Sequence, residues 1–389
     1  MIPVATVFLR EGTEVLLLRR SDEVGSYPGR WGAVSGHVAD HGDPESAARA
    51  EIREETGLED ARLVRAGEPF TVEEWQVHPF LFEVAGREIQ PNWETDAWAW
   101  VHPTEMLRRE TVPDLWKSYE RVAPTVDTVQ EDTDHGSTYL SVRALECLRD
   151  RAAVAPETVP ALARDLLQAR PSMRVIENRV NRVMQEGGTE KAARNGIERS
   201  LAADSKAAHN AAAMLPERVL TLSRSGTVLA ALRAAEPHVF VAESRPAREG
   251  VTVAEELAES MPVTLHTDAA IAHVLATEGV DAVLVGADAV LADGSVVNKT
   301  GTRGAALAAT HEGIPVYVVC ARDKIAADET AHLESGPDEE IHDSLDVLNP
   351  TFDVTPPEAI SAVVTEDGAL SETDVRAAAR EHAALADWD

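Results

Sequence analysis

The stretch GHVADHGDPESAARAEIREETGL, residues 36–58, spells out a capped helix with an acidic face. Asp43 suits the N-cap and Pro44 the first helical turn, where its missing N–H costs nothing. Gly57 supplies the left-handed residue that commonly ends a helix. Glu51, Glu54 and Glu55 stand at i, i+3 and i+4, a spacing that places their carboxylates on one face. Carboxylates gathered this way repel one another and call for a hard cation. Mg²⁺ or Mn²⁺ fits, since oxygen ligands and several retained waters suit such an ion.

Outward from this helix, three zones follow. Residues 1–124 alternate short strands with this one clear helix. The N-terminal MIPVATVFLREGTEVLLLRR carries acid inside its apolar stretch and has no small-residue cleavage site, so it reads as strands and not as a signal peptide. Residues 125–137, TVDTVQEDTDHGS, are polar and acidic and read as a linker. Residues 138–215 have a helical period. From 216 to 389 short apolar runs recur, each followed by a helical stretch: Val219–Leu222, Val239–Ala242, Val263–Leu265, Ala282–Val285 and Val316–Val319. That spacing is what βα units require, and it predicts an open parallel sheet. Ligands of such sheets bind beyond the carboxyl ends of the strands. Ser223, Glu243, Asp268, Asp288 and Cys320 stand at or just after those ends.

Composition narrows the classes. No run of 18 apolar residues exists, which argues against a membrane span. Cys147 and Cys320 give neither a disulfide framework nor zinc spacing, and a reducing cytoplasm is expected. The 36 basic residues against 67 acidic ones leave −31, and only five of the basic residues are Lys. Acid so dispersed suits a cytoplasm of very high salt and predicts a halophilic, haloarchaeal source. It also argues against general nucleic-acid binding, because no basic stripe offsets phosphate repulsion. The histidines, His37, His41, His78, His102, His266 and His273 among them, show no metal spacing. Trp93, Trp98 and Trp100 are expected in the core.

The stretch 36–58, with PGRWGAVSGHV and Arg20 upstream and Glu94–Val101 downstream, resembles the Nudix box. The resemblance runs from about Val4 to Pro124. It implies an α/β/α sandwich that cleaves a nucleoside diphosphate derivative with Mg²⁺ or Mn²⁺. It also implies that Gly36, Glu51, Glu54 and Glu55 form the metal site, with Glu54 catalytic. Glu94 is the expected extra ligand or base, and Asp96 stands second. Two residues depart from the family pattern: Ala50 replaces the Arg that orients the first Glu, with Arg49 one place earlier, and Asp43 replaces a Glu near the loop.

A second resemblance rests on VLTLSRSGT (219–227), ESRP (243–246), GAD (286–288) and NKTGT (298–302), in that order on successive βα units. It is to the family that joins the alpha, beta and delta subunits of initiation factor 2B to the ribose-1,5-bisphosphate and methylthioribose-1-phosphate isomerases. It covers about His135 to Pro357. It implies a helical subdomain, a Rossmann-like domain and a homo-oligomer. Helix N-termini at Ser225-Gly226 and Gly301-Thr302 would offer N–H groups to phosphate. Arg224, Arg245 and Lys299 would add charge, and Glu243, Asn298 and Asp288 would meet the sugar. The isomerases work with an Asp and a Cys. Asp288 matches the Asp, whereas Ser223 stands at the Cys, and an unassisted hydroxyl is far too weak an acid to replace a thiol.

These resemblances imply a Mg²⁺-dependent hydrolase fused to a domain that binds a sugar phosphate or nucleotide. The alternatives are an aldose–ketose isomerase of the ribose-1,5-bisphosphate type and a regulator with a translation initiation factor as partner.

Overall fold

The computed structural model of the chain describes residues 1–40, 42–132 and 135–388. The chain divides into two units, Met1–Thr125 and Val126–Asp389.

The first unit contains β1 (Ile2–Glu11), β2 (Glu14–Arg20), β3 (Trp31–Gly32), β4 (Val34–His37), α1 (Pro44–Thr56), β5 (Ala61–Ala66), β6 (Phe70–Val72), β7 (Trp75–Val84), β8 (Thr95–Val101) and α2 (Leu115–Glu120). β1 runs parallel to β7 and antiparallel to β2 and β4. Strand alternation sends Val7, Leu9, Leu16, Leu18, Phe80 and Phe82 to one face, against Ala47, Ala48 and Ile52 of α1. Phe8, Val15, Leu17 and Leu81 point to the other face, against Leu115 and Tyr119 of α2. The result is a sheet between two helical layers. α1 starts and stops where its sequence directs: the Asp43 carboxylate accepts the N–H groups of Glu45 and Ser46, and Gly57 closes the helix at φ 71°.

The second unit opens with α3 (Val126–Glu131), inside the stretch expected to be a linker. Val126 and Val129 recur at helical spacing, and Val129 is fully buried in the helical core. That anchor is why this polar segment orders. Thr133 and Asp134 of the same stretch lie outside the described residues. Four longer helices follow: α4 (Ser137–Val154), α5 (Val159–Ala169), α6 (Arg174–Gln185) and α7 (Glu190–Ala212). They share a core of Leu145, Leu148, Leu166, Val180 and Ile197.

The chain then alternates: β9 (Arg218–Thr221), α8 (Gly226–Ala235), β10 (His238–Ala242), α9 (Glu249–Ala258), β11 (Val263–His266), α10 (Ile271–Thr277), β12 (Ala282–Val285). A short hairpin, β13 (Ala289–Val290) and β14 (Val296–Lys299), leads to α11 (Thr302–Glu312) and β15 (Val316–Val319). β16 (Phe352–Thr355), β17 (Ala362–Thr365), β18 (Gly368–Leu370) and α12 (Glu372–Leu385) complete the unit. The main sheet has the order β11-β10-β9-β12-β15-β17-β18 and is parallel except at β18. The order reverses between β9 and β12, which opens a crevice at their carboxyl ends. Val219, Val239, Val241 and Leu284 face α7, α8 and α9. Leu220, Phe240, Val283 and Val318 face α10, α11 and α12. Among the described residues, no helix is long and apolar enough to cross a membrane.

Candidate functional site

In the first unit, α1 delivers an acidic cluster to the edge of the sheet. Glu55 is buried and its carboxylate accepts the Ser35 N–H at 2.9 Å. Burial pushes its pKa up to about 8; Glu51 and Glu94 push the same way, while the Ser35 N–H and Arg20 oppose them. Glu51 lies hard against Gly36: a methyl on Gly36 would meet its Oε1 at 1.6 Å. Any side chain at this position would have to displace the Glu51 carboxylate. Glu94 is held just before β8 by Asn92, whose side chain accepts the Glu94 N–H at 3.0 Å.

Along the face of Glu51, Glu54 and Glu55 exposure is graded: Glu55 is buried, Glu51 is half-buried and acts on it, and Glu54 is exposed. Among the described residues, no three His, Cys, Asp or Glu side chains converge tightly enough to hold a metal by themselves. The donor set nevertheless fits Mg²⁺, which commonly takes one or two carboxylates and completes its shell with water and substrate oxygens. Glu51 and Glu94 both act electrostatically against ionisation of Glu55, and a divalent cation bound there would offset that repulsion.

Other expectations for this unit change. Arg49, one place before Ala50, pairs with Glu45 and lies over the Phe82 ring. Asp96 pairs with Arg19 at 3.7 Å. Trp93 and Trp98 are 63% and 47% exposed, not core: Trp93 precedes β8, and among the described residues β8 pairs only with β2. Trp100 is half-buried against the α1-side core. His41 lies outside the described residues.

In the second unit, the crevice at β9 and β12 gathers polar groups on strained backbone. Ser223, Ser244 and Arg248 have φ of 63°, 61° and 59°, a left-handed region that non-glycine residues seldom adopt. Ser244 Oγ accepts the Ser223 N–H at 2.7 Å, and Asp268 accepts the N–H groups of Ser244 and Arg245. Ser223 Oγ donates to Glu249 Oε1 at 3.1 Å, and Lys299 Nζ lies 2.9 Å from the same oxygen. Asp288 is half-buried just past β12, where Ser137 Oγ donates to it at 3.2 Å. Burial raises its pKa, and Lys324, Ser137 and Lys299 pull against that rise. Lys324 Nζ donates to the Ala287 carbonyl at 2.6 Å. Ser225 caps α8 by accepting the Val228 N–H. Gly226 and Thr227 line a cavity of about 400 Å³ together with Thr138, Asp204 and His209.

Several residues expected to touch the ligand have structural partners instead. Asn298 donates to Thr302 Oγ1, which donates to the Lys299 carbonyl; both side chains are buried and shape the turn that carries Lys299. The Gly301 and Arg303 N–H groups are taken by Asp353, so the N-terminus of α11 is not an open phosphate slot. Arg224 pairs with Glu256, and Glu243 is shared between Arg245 and Arg248. The Cys320 thiol is fully buried and burial pushes it up to about 12, which leaves no thiolate for chemistry. Sequence reasoning missed Ser137, Glu249, Lys324 and Asp353. None belongs to a strand-end pattern, and Ser137 arrives from a helix 151 residues away in sequence from Asp288.

Comparison with known proteins bears on both units. Residues 133–372 match the model of the Initiation factor 2 subunit family, and residues 1–122 match that of the NUDIX domain. A methylthioribose-1-phosphate isomerase of Desulforamulus reducens is 36% identical over 187 residues, 40% of this chain and 54% of that protein. Another, from Pseudomonas entomophila, is 38% identical over 168 residues, 38% of this chain and 47% of that protein. The chain spans about half the length of the curated relatives it matches. Among solved structures, translation initiation factor eIF-2B of Pyrococcus horikoshii OT3 is 25% identical with a TM-score of 0.56, covering 64% of this chain and 97% of that one. The 5-methylthioribose 1-phosphate isomerase of the same organism, 22% identical with a TM-score of 0.53, shares the fold over 67% of this chain and 86% of that one.

Proposed function

Because the chain belongs to the Initiation factor 2 subunit family and carries a NUDIX domain ahead of the matched region, we propose that it combines two phosphate-handling sites. The N-terminal unit hydrolyses a nucleoside diphosphate derivative with Mg²⁺, and the C-terminal unit binds a phosphorylated sugar. The observation that carries the first part is the grouping of the Glu51, Glu55 and Glu94 carboxylates, with Glu51 packed against Gly36. Bound Mg²⁺ would supply charge neutralisation at the diphosphate and a more acidic water. Glu51 and Glu55 would hold it, Gly36 leaves room for Glu51, and Glu94 stands by as a further acceptor for a water proton. Incubating the full chain with nucleoside diphosphate sugars and dinucleotides tests this. Product should form with Mg²⁺ and not with EDTA, and Glu51→Gln should slow it by about 10²-fold or more. No product from any compound, or equal rates in the variant, would defeat the reading.

A second reading concerns the C-terminal unit, and Asp288 favours it. A half-buried carboxyl beyond a strand end, with its pKa raised and a hydroxyl to orient it, is the kind of group that moves protons. On this reading the unit converts an aldose 1-phosphate to the ketose. Formation of ketose phosphate from methylthioribose 1-phosphate or ribose 1,5-bisphosphate tests it. Binding without turnover would leave only the first reading.

A further inference from the structure

We infer that Glu249 is a second proton-transfer group of the crevice, acting where Ser223 stands in place of a thiol. The assignment rests on the isomerase reading of the C-terminal unit and deepens it.

Three observations converge on this side chain. Its Oε1 is doubly held, by the Ser223 hydroxyl at 3.1 Å and by Lys299 Nζ at 2.9 Å. Its Oε2 is shut off from solvent and has no hydrogen-bond partner among the described residues. A carboxylate oxygen is seldom left so in a folded protein unless a ligand or water completes it. The backbone beneath it is rigidly seated: a methyl on Gly250 would lie 1.9 Å from the Ala242 carbonyl, so α9 begins pressed against the end of β10. Glu249 is therefore a seated acid at the carboxyl ends of β9 and β10, beside the Ser223 turn.

Lys299 connects it to Asp288. The ammonium pairs with Glu249 and also acts electrostatically on Asp288. Two carboxyl groups in one crevice, one ion-paired with Lys299 and one half-buried against the Ser137 hydroxyl, can divide acid and base roles. The isomerisation needs four proton movements and no external oxidant or reductant. Asp288, in its acid form, protonates the ring oxygen as the bond from C1 to that oxygen breaks. Glu249 takes the proton from C2 as the C1–C2 double bond forms. Asp288 then accepts the proton of the C2 hydroxyl, and Glu249 returns its proton to C1. C2 is oxidised, C1 is reduced, and both carboxyls end as they began. Ser223 is a positioning residue, holding Glu249 through Oε1.

The test uses the full chain with methylthioribose 1-phosphate and ribose 1,5-bisphosphate, following ketose formation. Glu249→Gln keeps the size and hydrogen bonds of the side chain but cannot carry a proton. We expect kcat to fall on the order of 10³-fold with KM nearly unchanged, and Ser223→Ala to lose far less. Should Glu249→Gln fail to fold, as a lowered thermal midpoint would reveal, Glu249→Asp decides, because it keeps the acid and shortens its reach. Undiminished kcat in the folded Gln variant, or in Glu249→Asp where Gln does not fold, overturns the assignment while leaving the isomerase reading intact. No turnover by the wild type on either sugar overturns both.

Discussion

His382 on α12 shows what one buried residue contributes to pH dependence. It is buried, its Nδ1–H donates to the Ile325 carbonyl at 2.7 Å, and its Nε2 faces Arg182 at 3.4 Å and Asp323 at 3.8 Å. Burial lowers its pKa below the ordinary value; the Ile325 carbonyl and Asp323 oppose this, and Arg182 and Arg322 add to it. The unfolded chain therefore takes up a proton near pH 6.5 that the folded chain refuses until lower pH. Stability from this residue is full above about pH 6.5 and is lost as pH falls toward the folded pKa. Asp288, Asp353 and Glu366, whose pKa values burial raises, act in the opposite sense. The clean measurement is thus a difference: urea midpoints at pH 8 and pH 5.5 for wild type and His382→Gln. We expect the wild type to lose more stability on acidification than the variant. Equal losses would show that His382 titrates alike in both states. The candidate sites show a similar split between local and tertiary information. Glu51, Glu55 and Asp288 were legible because local spacing or strand-end position marks them. Glu249 and Asp353 were not, because their importance comes from which backbone or side chain they meet after folding.

Elements obey the same distinction. Two glycines of the second unit carry opposite predictions for the same substitution. Gly250 lies in the first turn of α9 with no room for a methyl, since the Ala242 carbonyl would sit 1.9 Å from it. Gly250→Ala must push α9 off β10, and we expect a loss of about 1–3 kcal/mol. Gly304 lies inside α11, where an added methyl would have nothing within 4 Å. Gly304→Ala should stabilise by about 0.5–1 kcal/mol through helix propensity. Urea denaturation of both variants checks the pair, and a neutral Gly250→Ala would contradict the close packing. The apolar runs at 219–222, 239–242, 263–265, 282–285 and 316–319 each became a strand within about a residue; for all but the edge strand β11 the reason is that a strand buried on both faces has little freedom of composition. The segment 125–137 misled because two valines on a six-residue helix are too faint a pattern to outweigh its acidic residues. The tryptophans near β8 misled because edge position is a property of sheet order, which sequence spacing does not carry.

Charge is a property of the whole molecule. The chain carries −31 with five lysines among 389 residues. Arginines are largely engaged locally, as Arg174 is with Glu177 and Asp328, and Arg179 with Asp204 and Asp323. Such pairs offset particular acids but leave the long-range excess, and excess charge destabilises the compact state by self-repulsion. Screening reaches about 10 Å at 0.1 M salt and about 3 Å at 1 M. Raising KCl across that range should shrink the repulsion between carboxylates on separate elements while leaving buried pairs nearly untouched. We therefore expect the thermal midpoint of the full chain to rise by several degrees between 0.1 M and 1 M KCl. NaCl at equal concentration should act alike if screening is the cause, whereas a rise confined to sulfate would point to surface exclusion instead. A midpoint that stays flat or falls in KCl would mean that the acidic surface is neutralised by local pairing alone.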